Sequence, residues 1–160
     1  MTFRPDVTVA AVVQRENRFL IVEEVVKGLK VLNQPAGHLE ENESLVEAVI
    51  RETLEETAWR FVPEAISGIY LWRTPDTGAT FLRFAFSGHC DKHFPDRALD
   101  EGICGTLWLT LDEIRQQSDR LRSPMVTKSI DDVLAGRRYP VDVLNHLGSP
   151  PFDDLSLSAG

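Results

Sequence analysis

Residues 34–59 of the chain read QPAGHLEENESLVEAVIRETLEETAW, and this stretch decides the fold. Glu52, Glu55 and Glu56 are spaced i, i+3 and i+4, so on a helix their carboxylates share one side and repel one another. They also lie near the C-terminal end of the predicted helix, where the helix dipole favours cations. We therefore expect a hard divalent cation there, Mg²⁺ with Mn²⁺ as a substitute, because such ions take oxygen ligands.

The start of this helix is marked by Ser44 and Glu47, which form the S-x-x-E pattern of a capping box. At about 100° per residue, five positions share the face that we expect to be buried. They are Val46, Val49, Ile50, Thr53 and Thr57. Helices commonly end at a left-handed residue, usually Gly, and the matching position here is Ala58.

Outside this stretch, β-branched and aromatic runs predict strands. The predicted strands cover residues 6–13, 19–22, 30–32, 66–73, 80–87 and 106–109. Residues 34–42 and 91–105 are predicted as loops, and two further helices are expected after Thr110 and after Ser123, with Pro124 in the first helical position. This order predicts an α/β fold with a mixed β-sheet between helices.

Composition limits the possible functions. The chain has 160 residues and a formal net charge of −8, which indicates one domain and argues against nucleic-acid or anionic-membrane partners. Cys90 and Cys104 do not suggest a disulfide framework, so a cytoplasmic location is expected. We predict one domain over residues 1–150, a loosely ordered tail over residues 151–160, and a monomer or homodimer that acts on a small molecule.

The charged positions resemble a known motif, the Nudix box, G-x5-E-x7-R-E-U-x-E-E-x-G-U, where U is a bulky aliphatic residue. The matching positions are Gly37, Glu43, Arg51, Glu52, Glu55 and Glu56. Two positions depart from it, since Thr53 replaces an aliphatic residue and Ala58 replaces Gly. The stretches QPAGHLE, FLRFAF, LRSPMV and GRRYP also resemble the NudJ subfamily of bacterial phosphatases.

This resemblance implies the Nudix α/β/α sandwich and Mg²⁺-dependent hydrolysis of a phosphoanhydride. For the subfamily it implies release of inorganic phosphate from nucleoside tri- and diphosphates, and hydrolysis of the pyrophosphorylated hydroxymethylpyrimidine of thiamine synthesis. Two alternatives remain open. One is an ADP-ribose or dinucleotide pyrophosphatase that cuts an internal anhydride. The other is a non-catalytic nucleotide-binding domain, which the retained glutamates disfavour.

The three clustered glutamates are the predicted catalytic residues. Glu52 and Glu56, one turn apart, are the first choices as metal ligands, and Glu55 is a further ligand or the general base. The resemblance also implies that the Ala36 carbonyl binds the metal. Many Nudix enzymes add an acid from a distant loop, and of Asp100 and Glu101 we favour Glu101 as ligand or base.

Three neighbouring residues are expected to support this site without touching substrate. Arg51 lies next to Glu52 and is predicted to pair with Glu43, which would hold the helix in place. An exposed ion pair of little energetic importance is the alternative. Gly37 is expected to permit a tight turn or a close approach to the metal.

Four residues are predicted to contact substrate. Arg83 lies among apolar strand residues, where an unpaired charge is unfavourable, so it either pairs with a carboxylate or faces a phosphate. Trp72 and Phe81 either stack on a base or belong to the core, and Gln34 is expected to face the pocket.

Overall fold

The computed structural model describes residues 2–148. In this part of the chain seven strands and three α-helices follow one another. They are β1 (Asp6–Arg15), β2 (Arg18–Val26), β3 (Leu29–Asn33), β4 (Ala36–His38), α1 (Leu45–Thr57), β5 (Trp59–Arg73), β6 (Thr80–His93), β7 (Ile103–Thr110), α2 (Leu111–Gln116) and α3 (Met125–Leu134). Single turns of 3-10 helix lie at Ser118–Arg120 and Val141–Val143. The predicted tail, residues 151–160, and the predicted boundary at residue 150 lie outside the described residues.

The strands form one mixed sheet in the order β3-β2-β1-β6-β5, with β4 paired to β1 and β7 paired to β2. Strands β1 and β6 are parallel, and the other pairs are antiparallel. The parallel register places Thr8 opposite Arg83. The predicted α/β fold with a mixed sheet is confirmed.

The two faces of the sheet bury different helices. Alternate residues of β1 point to opposite faces, because side chains alternate along a strand. Val9 and Val13 pack with Ala48 and Val49 of α1, together with Phe61 and Phe86. On the opposite face, Val12 packs with residues of the two C-terminal helices, namely Ile114 of α2 and Val126 and Ile130 of α3. The α1 face carries the acidic motif, and the α3 face carries the residues of the cavity described below.

Helix α1 has the ends that its sequence predicts. Ser44 is the N-cap, and the reciprocal hydrogen bonds of the capping box with Glu47 are both present. Ala58 is the C-cap and is left-handed, with φ 59°. Of the predicted buried face, Val49, Thr53 and Thr57 are buried, whereas the other two positions are half-buried. Each buried threonine hydroxyl donates to the carbonyl four residues earlier, which satisfies it inside the core.

Two predicted loops were wrong in part, because backbone pairing continues into them. Residues 36–38 form β4 against β1, with Gly37 opposite Val9. Residues 91–93 remain in β6 because His93 pairs with Trp59 at the start of β5, and β7 begins at Ile103 rather than at residue 106. Sequence propensity did not reveal these pairings, since they depend on partners far away in the chain.

The start of α3 also differs from the prediction. Pro124 is the N-cap rather than the first helical residue, and the Met125 N–H donates to the Ser123 hydroxyl at 3.2 Å. Among residues 2–148, no helix is long and apolar enough to cross a membrane.

Candidate active site

Helix α1 brings Glu56 to the backbone of β4. The Glu56 side chain is buried, and its Oε1 accepts a hydrogen bond of 2.8 Å from the Ala36 N–H. The pKa of Glu56 is raised to about 9, mainly by burial and also by the nearby negative charge of Glu52, against the opposing effect of the Ala36 N–H. A positive charge placed here would restore the ionised form of Glu56.

Glu52 lies directly against Gly37. A Cβ atom added at position 37 would lie 2.1 Å from Cδ of Glu52, which is impossible without displacement of the carboxylate. The motif glycine is therefore required by the close approach of this carboxylate, and its φ is not in the left-handed region. Burial raises the pKa of Glu52 to about 6, although its contact with Arg51 acts in the opposite direction.

A second segment completes an acidic cluster. Carboxylate oxygens of Glu52, Glu55 and Asp100 all lie within 4.8 Å of one another. The Asp100 N–H donates to the Glu55 carbonyl at 3.0 Å, and this bond fastens the loop before β7 to α1. Three carboxylates converging on one point match the oxygen-donor set of a hard divalent cation. Among the described residues this cluster includes neither Glu56 nor Glu101, which is exposed.

Arg51 organises the acidic side of the helix. Its guanidinium makes a two-pronged contact with Glu43 at 2.7 and 2.9 Å and reaches Glu52 at 2.8 Å. Glu55 lies at 3.2 Å and Glu40 at 3.4 Å. The hydrogen bonds with Glu43 raise the pKa of Arg51 well above its usual range. Four carboxylates around one guanidinium leave a surplus of negative charge, which a bound cation would balance.

A cavity of about 180 Å³ lies beside β4 on the α3 side of the sheet. It is lined by Thr8, Glu24, Asn33, Ala36, Gly37, His38, Trp72, Phe81, Arg83, Arg122, Ser123 and Met125. Ala36 and Gly37 belong to both places, since they line the cavity and contact Glu56 and Glu52. The acidic cluster and the cavity are therefore neighbours across a single short strand.

Arg83 is a buried cation without a carboxylate partner among residues 2–148. Its side chain donates to Oδ1 of Asn33 at 2.9 Å and to Oε1 of Gln34 at 3.3 Å, and both acceptors are neutral amides. Burial lowers the pKa of Arg83 to about 10. Of the two alternatives that the sequence left open, a carboxylate partner is absent from this part of the chain, and Arg83 lines the cavity.

Of the other residues predicted to contact substrate, two line the cavity and one lies behind it. Trp72 and Phe81 are half-buried, line the cavity and lie with ring centroids 6.2 Å apart at 25°. Gln34 is buried behind the cavity rather than lining it, and its Nε2 donates to the Val126 carbonyl at 2.7 Å. Gln34 therefore supports Arg83 from behind.

Sequence reasoning missed Glu24 and Asn33, which line the cavity from β2 and β3. It named Asp100 as a candidate but favoured Glu101, whereas Asp100 is the residue that lies in the acidic cluster. One available signal was Glu24 itself, an acid within the apolar run RFLIVEEVV of β2. Burial raises the pKa of Glu24, against the effects of Arg122 and Asn33.

Comparison with known proteins identifies relatives over most of the chain. Residues 2–128 match the NUDIX domain family. The chain is 42% identical over 148 residues to Phosphatase NudJ of Escherichia coli K12, which covers 92% of this chain and 95% of that protein.

Solved structures give the same picture of the fold. A NUDIX hydrolase from Nitrosomonas europaea superposes with a TM-score of 0.89 at 48% identity, covering 91% of this chain and 100% of that one. A MutT NUDIX hydrolase from Burkholderia pseudomallei superposes with a TM-score of 0.70 at 18% identity, covering 82% of this chain and 99% of that one. The second similarity extends to the fold alone.

Proposed function

Since the chain belongs to the NUDIX domain family and is a NudJ-like phosphatase, we propose that it releases inorganic phosphate from nucleoside tri- and diphosphates with Mg²⁺. Related pyrophosphates, including the pyrophosphorylated hydroxymethylpyrimidine of thiamine synthesis, belong to the same proposal. The observation that supports it is the adjacency of two opposite charges. The acidic cluster of Glu52, Glu55 and Asp100 adjoins, across β4, a cavity whose buried Arg83 has no carboxylate partner within residues 2–148.

We propose that Glu52, Glu55 and Asp100 hold the metal, because their oxygens already converge. Asp100 takes the role that the sequence assigned to Glu101. Glu56 of α1 and the Ala36 carbonyl of β4 complete the proposed set, and Mn²⁺ is the expected substitute. When bound, a divalent cation polarises phosphoryl oxygens and acidifies a coordinated water.

The side chains have separate tasks in this proposal. The proton of the attacking water passes to a carboxylate of α1, for which Glu52, Glu55 and Glu56 are the candidates. Arg51 and Glu43 orient these carboxylates through their two-pronged contact. Gly37 leaves room for the Glu52 carboxylate, so a side chain at position 37 would displace it.

The cavity receives the part of the substrate beyond the scissile bond. Arg83 donates from its free N–H groups to a substrate oxygen, while Gln34 holds it from behind. Trp72 and Phe81 offer an aromatic surface to a ring. We further propose a cytoplasmic monomer or homodimer without nucleic-acid or membrane partners, in line with the net charge of −8.

The test is a product analysis with and without Mg²⁺. Nucleoside tri- and diphosphates, ADP-ribose and the pyrimidine pyrophosphate are incubated with the full chain in Mg²⁺, Mn²⁺ or EDTA. We expect metal-dependent release of orthophosphate. In Glu52→Gln we expect turnover to fall by at least about a hundredfold, since even groups one step removed from a metal affect activity by roughly 10–100-fold.

Glu41→Gln is the matched control, because Glu41 is an exposed acid of the same motif outside the cluster. It should retain the turnover of the unmodified chain. Turnover of every substrate in EDTA equal to that in Mg²⁺ would refute the proposed function. Two monophosphates from ADP-ribose, without orthophosphate from nucleotides, would instead support cleavage of an internal anhydride.

A further inference from the structure

A second cavity lies between β5 and α3, and within residues 2–148 it shares no lining residue with the cavity beside β4. Its volume is about 510 Å³, inside the range of roughly 300–1,000 Å³ that is typical of sites for small molecules. The lining comes from β5, from α3 and from the segment that follows α3. The site described so far therefore makes no use of this space.

Strand β5 is irregular where it borders the second cavity. Its register with β6 shifts between Ile66 and Gly68, so Ser67 is the extra residue of a β-bulge, a feature that redirects a side chain. A Cβ atom at position 68 would lie 2.2 Å from the Tyr70 hydroxyl, so glycine is needed there. The Tyr70 hydroxyl can thereby donate to Oδ2 of Asp132 in α3 at 2.6 Å.

The charged residues of the second cavity leave a surplus of positive charge. Asp132 is buried, and its Oδ1 is contacted by Lys128 at 2.8 Å and by Arg137 at 3.5 Å, while Oδ2 accepts from Tyr70. No other charged residue of the described chain lines the cavity, so two cations face one carboxylate and one positive charge remains. Both cations carry further N–H groups and no acceptor. A ligand therefore meets donors with a net charge of one.

A buried hydroxyl and an apolar wall complete the second cavity. Ser67 Oγ is buried without a hydrogen-bond partner in the described part of the chain, although buried polar groups are normally paired. The wall is formed by Ile69, Tyr139 and Val143, which are 50–61% exposed. Apolar side chains that stay exposed around a few polar groups are typical of a binding surface.

We propose that the second cavity binds a small carboxylate with an apolar or aromatic body. The carboxylate accepts hydrogen bonds from Lys128 and Arg137, the body packs against the apolar wall, and the Ser67 hydroxyl gains a polar partner. A carboxylate fits better than a phosphate ester, because the lining offers one surplus charge whereas a phosphate ester carries about −1.5 to −2 near neutral pH. This site goes beyond the proposed function and does not depend on the metal.

Calorimetry with 2-naphthoate and the neutral alcohol 2-naphthylmethanol tests the proposal, because the two probes share one ring system. For the full chain in EDTA, 2-naphthoate should bind at least about tenfold more tightly, the size expected for a hydrogen bond to a charged group. The net charge of −8 repels the anion from the chain as a whole, so this preference requires the local surplus.

Lys128→Gln should lower the affinity for 2-naphthoate by at least about tenfold, because the lining then has no surplus charge. Lys92→Gln is the matched control, since Lys92 is exposed and lies outside the lining, and it should keep the affinity of the unmodified chain. If Lys128→Gln does not fold, Val143→Asp replaces it. Val143 is exposed at the wall, and a negative charge there should lower the affinity to a similar extent.

Equal affinities for the two probes, tighter binding of the alcohol or no binding of 2-naphthoate would overturn the proposal. An unchanged affinity in Lys128→Gln, or in Val143→Asp where that variant replaces it, would do so as well. Arg122→Gln changes a cation of the cavity beside β4 and should leave the affinity unchanged, whereas a loss would place the probe in that cavity instead. An affinity that falls as the chain concentration rises would show that a second copy covers the cavity, which also overturns the proposal.

Discussion

Two arginines of this molecule have opposite surroundings. Arg51 lies within 3.4 Å of four carboxylates, and its pKa is raised by the hydrogen bonds with Glu43. Arg83 is almost completely buried, contacts the neutral amides of Asn33 and Gln34, and has a pKa that burial lowers to about 10. The first charge is paired with carboxylates within the chain, while the second forms no salt bridge with any residue from 2 to 148.

The difference in surroundings distinguishes Arg51, a structural arginine, from Arg83, the arginine that we propose to bind substrate. Around Arg51 the carboxylates outnumber the cation, which fits the metal ion that we propose there, and the arginine holds the carboxylates in position. Around Arg83 the polar partners only orient the guanidinium, which fits the ligand acceptor that we propose for it. Two sites of opposite surplus charge, adjoining across β4, match a metal-bound pyrophosphate compound.

The largest predicted effect on stability follows removal of the first arginine. Arg51→Gln should lower the melting temperature by roughly 5 °C or more, because it leaves four carboxylates facing one another. Mg²⁺ should recover part of this loss, since it returns positive charge to the same carboxylates. Thermal unfolding with EDTA and with Mg²⁺ measures both effects.

Arg83→Gln is the comparison for that experiment. It should lower the melting temperature less than Arg51→Gln does, because it removes a buried and unneutralised charge, and Mg²⁺ should recover none of the loss. Its main effect should be a higher KM for nucleotides. A larger stability loss than in Arg51→Gln would show that Arg83 is a structural residue, and the comparison would fail.

Substitution of Glu56 should change the melting temperature by an intermediate amount and in the stabilising direction. A carboxyl whose folded pKa is raised from its ordinary 4.5 to about 9 loses stability as the pH rises between these two values. Without metal, Glu56→Gln should therefore raise the melting temperature at pH 8 by roughly 2–6 °C, while the amide oxygen still accepts from Ala36. The gain should shrink at pH 5. A lower melting temperature than the unmodified chain in EDTA at pH 8 would contradict the cause that we assign to the pKa.

The smallest predicted effect concerns the C-terminal end of α1 rather than its charged residues. Ala58 has φ 59°, where Gly is relaxed and Ala is strained, but its methyl group is buried. Ala58→Gly should change the free energy of unfolding by between zero and about 1 kcal/mol in the stabilising direction. Ala48→Gly, inside the same helix, should destabilise by about 1 kcal/mol or more. Similar losses for both variants in chemical denaturation would show that the left-handed strain is unimportant.

The acidic side of the site could be predicted because it is local in sequence. The start of α1 at Ser44, its left-handed end and the side shared by its glutamates all follow from spacing within residues 37–59. The chain's membership of the NUDIX domain family follows from the same spacing and is confirmed. The contact between Arg51 and Glu43 also connects residues only eight positions apart.

The rest of the site depends on contacts between residues far apart in the sequence, which the spacing of the motif does not reveal. Asp100 and Glu101 are equivalent in sequence, and the hydrogen bond from the Asp100 N–H to the Glu55 carbonyl decides which of them reaches the helix. From the sequence alone, Arg83 could contact either a carboxylate or a ligand. It contacts amides because the strand register sets it opposite Thr8 and because Asn33 lies at the end of β3.

Hydrogen bonds run from the Val126 carbonyl through Gln34 and Arg83 to Asn33, and they give α3 an influence on side chains at the cavity beside β4 beyond its own contact there through Met125. The orientations of both amides depend on the Val126 carbonyl, and Val126 is held in the core by neighbours such as Ile130. A core substitution that shifts this helix would release Gln34 and, through it, the orientation of Asn33. Related chains can therefore diverge in the molecules they accept through changes in packing far from the substrate, while the residues lining the binding surface stay the same.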